Sequence, residues 1–237
     1  TLFSTPNKDS IPLKKSRIDF LRICLSNLQT KTDKIYILNK SKKNFDFSMI
    51  IQCAQSDSSI LIKASLKFLS SFIPDLIDEL YRNYTPETII DFIKDILSKG
   101  QFAEKYESIE FITSLIKNKN YPFIRQLLLV DDDEENIFQS FDNLMQADDN
   151  KLKIKILSMI DALFEYFGIE SHQRDRDIFI ELIQNSGLGD DFEQTRHILC
   201  DAVLQNIDSE NEKVSEYSKK NWKSMDYYSN LKQNPNF

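Results

Sequence analysis

The sequence predicts an all-α fold in which helix pairs stack into a right-handed superhelix, an α-solenoid of about ten to twelve helices. Only 4 Gly and 6 Pro occur among 237 residues, too few for the many turns of an all-β protein. Long stretches carry apolar residues at helical spacing instead. Polar breaks at Asp57, Gly100, Asp148 and Asp190 follow one another after 43, 48 and 42 residues, so the helices are predicted to form repeated pairs.

The N-terminal region is predicted to begin with a flexible, polar lead-in at residues 1–11. Pro12 suits the first turn of a helix, where its missing N–H removes no helical hydrogen bond. This helix is predicted over residues 13–29. A second helical stretch is predicted through Ile35 and Leu38, before a break at residues 41–44. The apolar stripe of the first helix comprises Ile18, Leu21, Ile23, Leu25 and Leu28.

The second unit is predicted to begin near Phe45 or Phe47 and to contain two helices on either side of the first polar break. Pro74 is expected to kink or end the second of these helices, because proline breaks a helical hydrogen bond. The stripe of the first helix comprises Met49, Ile50 and Cys53. The stripe of the second comprises Ile60, Ala64, Leu66, Phe68, Leu69, Phe72 and Ile73.

The third unit has a clear start signal, with Thr85 as the N-cap and Pro86 at the first helical position. Pro122 is predicted to start a short helix after this unit. The stripe of its first helix comprises Ile89, Phe92, Ile93, Ile96 and Leu97. The stripe of its second comprises Phe102, Tyr106, Ile109, Ile112, Leu115 and Ile116.

The fourth and fifth units complete a repeat domain predicted over residues 12–208. A polar capping helix and a frayed tail are predicted over residues 209–237. Gly168 is expected to be the C′ residue that follows the last helix of the fourth unit. The fourth unit's stripes comprise Ile137, Phe141, Leu144 and Met145, then Leu152, Ile156, Leu157, Ile160, Leu163, Phe164 and Phe167. Those of the fifth comprise Ile178, Phe179, Leu182 and Ile183, then Phe192, Ile198, Leu199, Ala202, Val203 and Ile207.

The second helices of the units align with one another. The third and fourth units match at an offset of 48 residues, the fourth and fifth at 43, and the second and third at 42 or 43. In this alignment, residues 100–116 and 148–164 resemble the last helix of an armadillo or HEAT repeat. The resemblance covers residues 45–207, with 13–40 as a degenerate first repeat. It implies a superhelix whose second helices line a binding groove.

Composition and charge exclude several classes of protein. A net charge of −7 disfavours a dedicated nucleic-acid binder, whose contact face should be basic. The three cysteines, Cys24, Cys53 and Cys200, are far apart and lack metal-ligand spacing, which indicates buried thiols in a reducing compartment. No apolar run reaches the ~18 residues of a membrane helix. No secretory leader is visible in residues 1–10, so a cytoplasmic or nuclear location is expected.

Residues suited to catalysis or cofactor binding are scarce. His172 and His197 are the only imidazoles, and neither has a metal-binding partner in a recognisable spacing. The glycines at positions 187 and 189 lack the preceding strand and third glycine of a phosphate loop, so a turn is expected. The acidic run at residues 131–135 lacks the alternating ligands of a calcium loop. We therefore expect no enzyme activity, no cofactor and no metal.

Two groups of residues in the sequence bear on the kind of partner that the protein binds. Importin-α-like armadillo proteins hold basic peptides on a ladder of Trp and Asn, and here only Asn27 and Asn143 resemble such positions. The single Trp222 lies outside the repeats, so recognition by that ladder is not expected. Basic residues also gather near the N-terminus, as either a solvated face or a docking patch for an acidic protein or membrane surface. They are Lys14, Lys15, Arg17, Arg22, Lys40, Lys42 and Lys43.

The leading functional hypothesis is a non-catalytic scaffold or adaptor that binds a partner peptide or helix in the solenoid groove. The alternatives are a regulatory armadillo-like domain of a larger protein, such as a phosphatase or kinase regulatory subunit or a GTPase-binding region, and an RNA-binding helical repeat. The absence of an initial Met fits a fragment of a larger protein. The predicted partner-binding residues are charged positions between the core stripes: Lys63, Lys67, Glu107, Glu110, Lys153 and Lys155.

Overall fold

The computed structural model describes residues 10–41, 47–82, 84–128, 137–166, 198–199 and 201–232. Ten helices have both ends within these residues, and the described part of the chain contains no strand. The all-α prediction is therefore confirmed for the described residues. The chain divides into two compact units, residues 1–118 and 119–237. The predicted boundaries of a single repeat domain at residues 12–208 stay a prediction.

The first unit contains six helices arranged around one long central helix. That central helix, α4, packs against α1, α2, α3 and α6, while α5 packs against α6. Large side chains that are fully buried in this unit, among them Phe68 and Phe111, make its core. The six helices are α1 (Ile11–Ser26), α2 (Lys31–Ser41), α3 (Phe47–Ala54), α4 (Ser59–Tyr81), α5 (Pro86–Lys99) and α6 (Phe102–Lys117).

Local hydrogen bonds fix the N-terminal ends of α5, at Pro86, and of α6, at Phe102. The Thr85 hydroxyl accepts a bond of 3.2 Å from the backbone N–H of Thr88, as the N-cap prediction requires. Before α6, the backbone N–H of Gln101 donates to the carboxylate of Glu104 at 2.9 Å. Both bonds satisfy donors that the first helical turn leaves without a partner.

The burial pattern of the second helices follows the repeat that the sequence predicts. Six equivalent positions are buried in each of α4, α6 and α9 (Asn150–Tyr166), at offsets of 43 and 48 residues. The offset between the second and third units is thus 43. The six sets are Leu61, Glu104 and Leu152; Ser65, Ser108 and Ile156; Leu66, Ile109 and Leu157; Phe68, Phe111 and Met159; Leu69, Ile112 and Ile160; and Phe72, Leu115 and Leu163.

Equivalent helices of successive repeats are also neighbours in space. The helices α4 and α6 pack along each other, and a hydrogen bond of 3.4 Å joins the Ser59 hydroxyl to the Gln101 side chain near their starts. Side-by-side packing of equivalent helices is what stacked repeats require, because no single pair buries its own apolar face. The helical-repeat prediction is confirmed for this pair.

The second unit is built around α9. The helices α8 (Ile137–Gln146) and α10 (Glu212–Lys232) pack against it, and α7 (Tyr121–Leu128) precedes them. The buried Asn221 of α10 donates to the backbone oxygens of Leu157 at 3.1 Å and Tyr217 at 2.9 Å. An ion pair of 2.7 Å between Lys220 and Asp161 lies beside it. The last, more polar helix that the sequence predicts is α10.

The first helix differs from the prediction in one boundary and in one residue that was expected in the core. It covers residues 11–26, and Asn27 is its C-cap, whose backbone N–H and side-chain amide both donate to the Ile23 carbonyl. Ile23 is 53% exposed, although the sequence pattern predicts it to be part of the apolar stripe. A separation of two residues turns a side chain by about 200° around a helix, so Ile23 faces away from the buried Leu21 and Leu25.

Two further predictions about the stripes were wrong. Ile60 and Phe102 are 49% and 42% exposed, because both lie in the first turn of a helix before its buried stripe begins. Of the two effects expected of Pro74, a kink or an end of the helix, the structure excludes the end, because α4 continues to Tyr81. Buried residues on both sides of that position, such as Ile73 and Leu80, hold the two parts in one helix.

Several predicted features lie outside the described residues. They are most of the lead-in, part of the break at 41–44, the acidic run at 131–135, Phe167, Gly168, the first helix of the fifth unit, the glycine turn near 187, the two histidines, Phe192, Cys200 and the tail after residue 232.

Candidate partner-binding face

One continuous side of α4 and α6 is left uncovered by the core. On α4 the residues between the buried positions recur at intervals of three and four, which places them on one side of the helix. The equivalent positions on α6 are half-buried, except for the buried Thr113. We call this surface the α4–α6 face and define it by Ile60, Lys63, Lys67, Phe102, Tyr106, Glu107 and Glu110.

Four of the six predicted site residues lie on this face. Lys63 and Lys67 form a basic row on α4, and Glu107 and Glu110 form an acidic row on α6. Lys67 and Glu110 occupy equivalent positions in the 43-residue register, near the middle of the uncovered side. Lys67 is exposed, the other three are half-buried, and one carboxylate oxygen of Glu110 is buried. The face therefore offers opposite charges on two adjacent helices.

The other two predicted site residues lie in the second unit, on α9. Lys155 occupies the position of Glu107, on the side that the core leaves uncovered. Lys153 corresponds to Lys105 on α6 and to the buried Ile62 on α4, so it lies at the edge of the core stripe. Both lysines are half-buried.

The apolar part of the α4–α6 face was missed by the sequence analysis. Ile60 and Phe102 lie at the starts of the two helices, which the bond between Ser59 and Gln101 holds together. The ring of Phe102 lies 6.3 Å from that of Tyr106, centroid to centroid, at a tilt of 36°. The 43-residue register carries the signal that could have found them, because it aligns Ile60 with Ala103, outside the shared buried positions.

The other candidate residues lie on, or at the end of, helices other than α4 and α6. Asn27 is exposed and its amide is used at the end of α1, and Asn143 is exposed on α8. Cys53 is buried, and this burial raises the pKa of its thiol, an effect that the nearby charge of Lys14 partly offsets.

Among the described residues, no three His, Cys, Asp or Glu side chains are grouped so that they could hold a metal ion. No helix in the described part of the chain has the length and apolar character to cross a membrane.

No protein-family model matches the chain, and no curated protein matches it in sequence. Among solved structures, the chain is similar to a designed armadillo repeat protein, with 11% sequence identity, a TM-score of 0.47, and 93% of this chain and 96% of that chain covered.

Proposed function

We propose that this protein is a non-catalytic interaction scaffold, acting in the cytoplasm or nucleus, that binds a partner peptide or helix on the α4–α6 face. The observation that carries this proposal is the exposure of Ile60 and Phe102 beside two oppositely charged rows on adjacent helices. Exposed apolar side chains with a polar rim are typical of protein interaction sites.

The two kinds of side chain have different roles in this proposal. Burial of Ile60 and Phe102 under a partner supplies affinity, as apolar and aromatic anchors do at the centre of interfaces. The charged rows supply orientation, because a segment that crosses from α4 to α6 meets lysines and then glutamates. The favoured partner is therefore a segment with an apolar anchor and with acidic residues followed by basic ones.

The same charge pattern distinguishes a protein partner from RNA. A continuous basic strip is needed to neutralise successive phosphates. The α4–α6 face instead places Glu107 and Glu110 next to its two lysines. We extend the proposal to Lys153 and Lys155, which we assign to partner binding on the surface of α9 within the second unit.

The test is quantitative affinity purification of the full chain with a matched set of variants. One variant removes the apolar anchors, Ile60→Ser with Phe102→Ser, and a second reverses the basic row, Lys63→Glu with Lys67→Glu. Both should lose the same partner proteins, since the proposal assigns anchor and orientation to one face. A third variant with Lys153→Glu and Lys155→Glu tests the surface of α9.

A control variant makes the same kind of substitution, from an exposed apolar residue to serine, at positions outside the α4–α6 face. Tyr121 and Leu204 are exposed apolar residues in the second unit, so Tyr121→Ser with Leu204→Ser should retain the partners. A photo-crosslinking amino acid at position 67 should also attach to the same partner directly. If the face variants and the control retain partners equally, the face does not bind them.

A further inference from the structure

The lysines of the second unit are gathered on two helices that pack against each other. Residues 119–237 contain 23 acidic and 13 basic residues, so this part of the chain is strongly acidic. The helices α9 and α10 nevertheless carry eight lysines against five acidic residues, and only one further lysine occurs in the unit. Most of the positive charge of an acidic unit is therefore concentrated on the two helices that the bond between Asn221 and Leu157 joins.

The repeat register shows how α9 differs from the helices of the α4–α6 face. Lys155, which is half-buried, stands at the position of Glu107 on α6. Ser158 stands at the position of Glu110, so the acidic row of the α4–α6 face has no counterpart on α9. Lys151, one turn before Lys155, is exposed. The uncovered side of α9 therefore begins with two lysines.

An ion pair joins α10 to the border of the same side of α9. Lys220 bonds to Asp161 at 2.7 Å, and Asp161 lies one turn after Ser158. Lys213 and Lys223 are exposed, and they lie seven residues before and three residues after Lys220. This spacing places the three lysines on one side of α10. We call the surface of Lys151, Lys155, Lys213, Lys220 and Lys223 the α9–α10 face.

Carboxylates are outnumbered on the α9–α10 face. The Asp161 side chain is 19% exposed and is already bound to Lys220. Two exposed carboxylates border the face, Glu216 one turn before Lys220 and Glu165 at the far end of α9. Five lysines thus stand beside three carboxylates here, whereas the unit outside α9 and α10 contains 18 acidic and five basic residues. An acidic segment is attracted to this face and repelled by the rest of the unit.

We propose that the α9–α10 face docks an acidic segment of a partner protein, an inference that rests on the partner binding proposed above for α9. The carboxylates of this segment pair with lysines of both helices, so α10 takes part in binding as well as in packing. A nucleic acid fits less well, because a long chain of phosphates would extend beyond the face over the acidic remainder of the unit. A short acidic segment meets only the lysines.

Short peptides test this proposal with the full chain. The probe is a fluorescein-labelled peptide of about 12 residues in which Glu alternates with Ser, long enough when extended to reach across two packed helices. Its neutral twin carries Gln in place of Glu, and its basic twin carries Lys. Fluorescence anisotropy should show binding of the acidic peptide alone, with an affinity that falls as salt is raised.

Two pairs of charge reversals locate the binding on the chain. Lys151→Glu with Lys223→Glu changes one exposed residue on each helix and should weaken binding of the acidic peptide at least about fivefold. Lys63→Glu with Lys67→Glu alters the net charge of the chain by the same amount and should change binding by less than about twofold, because these lysines lie on the α4–α6 face. Circular dichroism should show unchanged helix content in both variants.

Three results would overturn the proposal. The first is equal binding of the acidic and neutral peptides, or equal weakening by the two pairs of reversals. The second is single-stranded DNA that binds more tightly than the acidic peptide and is lost with Lys151→Glu and Lys223→Glu, which would assign the face to a nucleic acid. The third is a chain that does not bind the acidic peptide although Lys153→Glu with Lys155→Glu loses cellular partners. Partner binding on α9 would then stand and its acidic segment would be excluded, whereas retention of those partners would remove both.

Discussion

At the scale of single residues, the sequence is most informative where an interaction is local. Thr85 could be identified as an N-cap because its hydroxyl bonds to an N–H only three residues further along. Ser58 occupies the same position before α4, yet its side chain makes no capping bond. The residue type therefore indicates where a cap is possible. The backbone differs between the two positions, with ψ of 157° at Thr85 and 107° at Ser58.

This difference between two caps gives a prediction about stability. Thr85→Ala should lower the free energy of unfolding by about 1 kcal/mol, because the N–H of Thr88 loses its partner. Ser58→Ala should change it by less than about 0.5 kcal/mol, since no capping bond is lost. Urea unfolding followed by circular dichroism measures both. Equal losses in the two variants would contradict the assigned roles.

At the scale of helices, the repeated spacing identifies the elements, while burial decides which side of each helix is inside. The stripe of α5, Ile89, Phe92, Ile93, Ile96 and Leu97, is buried as predicted, because all its members lie on one side of a regular helix. Ile60 and Phe102 also fit the apolar pattern but are exposed. The apolar pattern alone cannot separate a core position from an interface position, because both use the same side chains.

The shared register also leads to a prediction about two buried serines. The hydroxyls of Ser65 and Ser108 are buried and have no hydrogen-bond partner among the described residues. The equivalent residue on α9 is the buried Ile156, so the repeat accepts an apolar side chain there. Ser65→Ala and Ser108→Ala should each stabilise the protein by roughly 0.5–1 kcal/mol, because alanine removes a desolvated hydroxyl and favours the helix.

A buried hydroxyl that does have a partner supplies the control for these variants. Thr113 donates to the carbonyl of Ile109 at 2.7 Å. Thr113→Val keeps the shape but loses this bond, and should destabilise the protein by about 0.5–1.5 kcal/mol. The opposite signs are measured as shifts of the midpoint in urea. Destabilisation by both serine variants would show that their hydroxyls are bonded in solution.

At the scale of the whole molecule, the repeat predicts how units follow one another but not where compact units end. The first unit closes its own core, because α4 contacts four other helices and α5 reaches α6, where Phe92 stacks on Phe111 at 6.4 Å. This unit ends at residue 118. Its boundary depends on contacts between distant segments, which no local pattern contains.

The core of the first unit leads to a prediction about fragments of the chain. Residues 1–118 alone should be helical and should unfold cooperatively in urea. Their free energy of unfolding should fall less steeply with urea concentration than that of the full chain, because less surface becomes exposed on unfolding. Residues 1–100 lack α6, the helix on which α4 and α5 pack, and should not unfold cooperatively. A fragment 1–118 that lacks a cooperative transition would show that its core depends on the rest of the chain.

The sequence by itself determined the helical class, most helix positions and the repeat that aligns the second helices, because helix formation and amphipathic spacing are local properties of the chain. The predicted site residues Lys63, Lys67, Glu107 and Glu110 lie on two packed helices, and their role in binding stays a prediction. Only the tertiary structure decided that Ile60, Phe102, Phe20 and Ile23 face solvent. An apolar side chain is buried or exposed according to which helix packs over it, and that depends on contacts between segments far apart in the sequence.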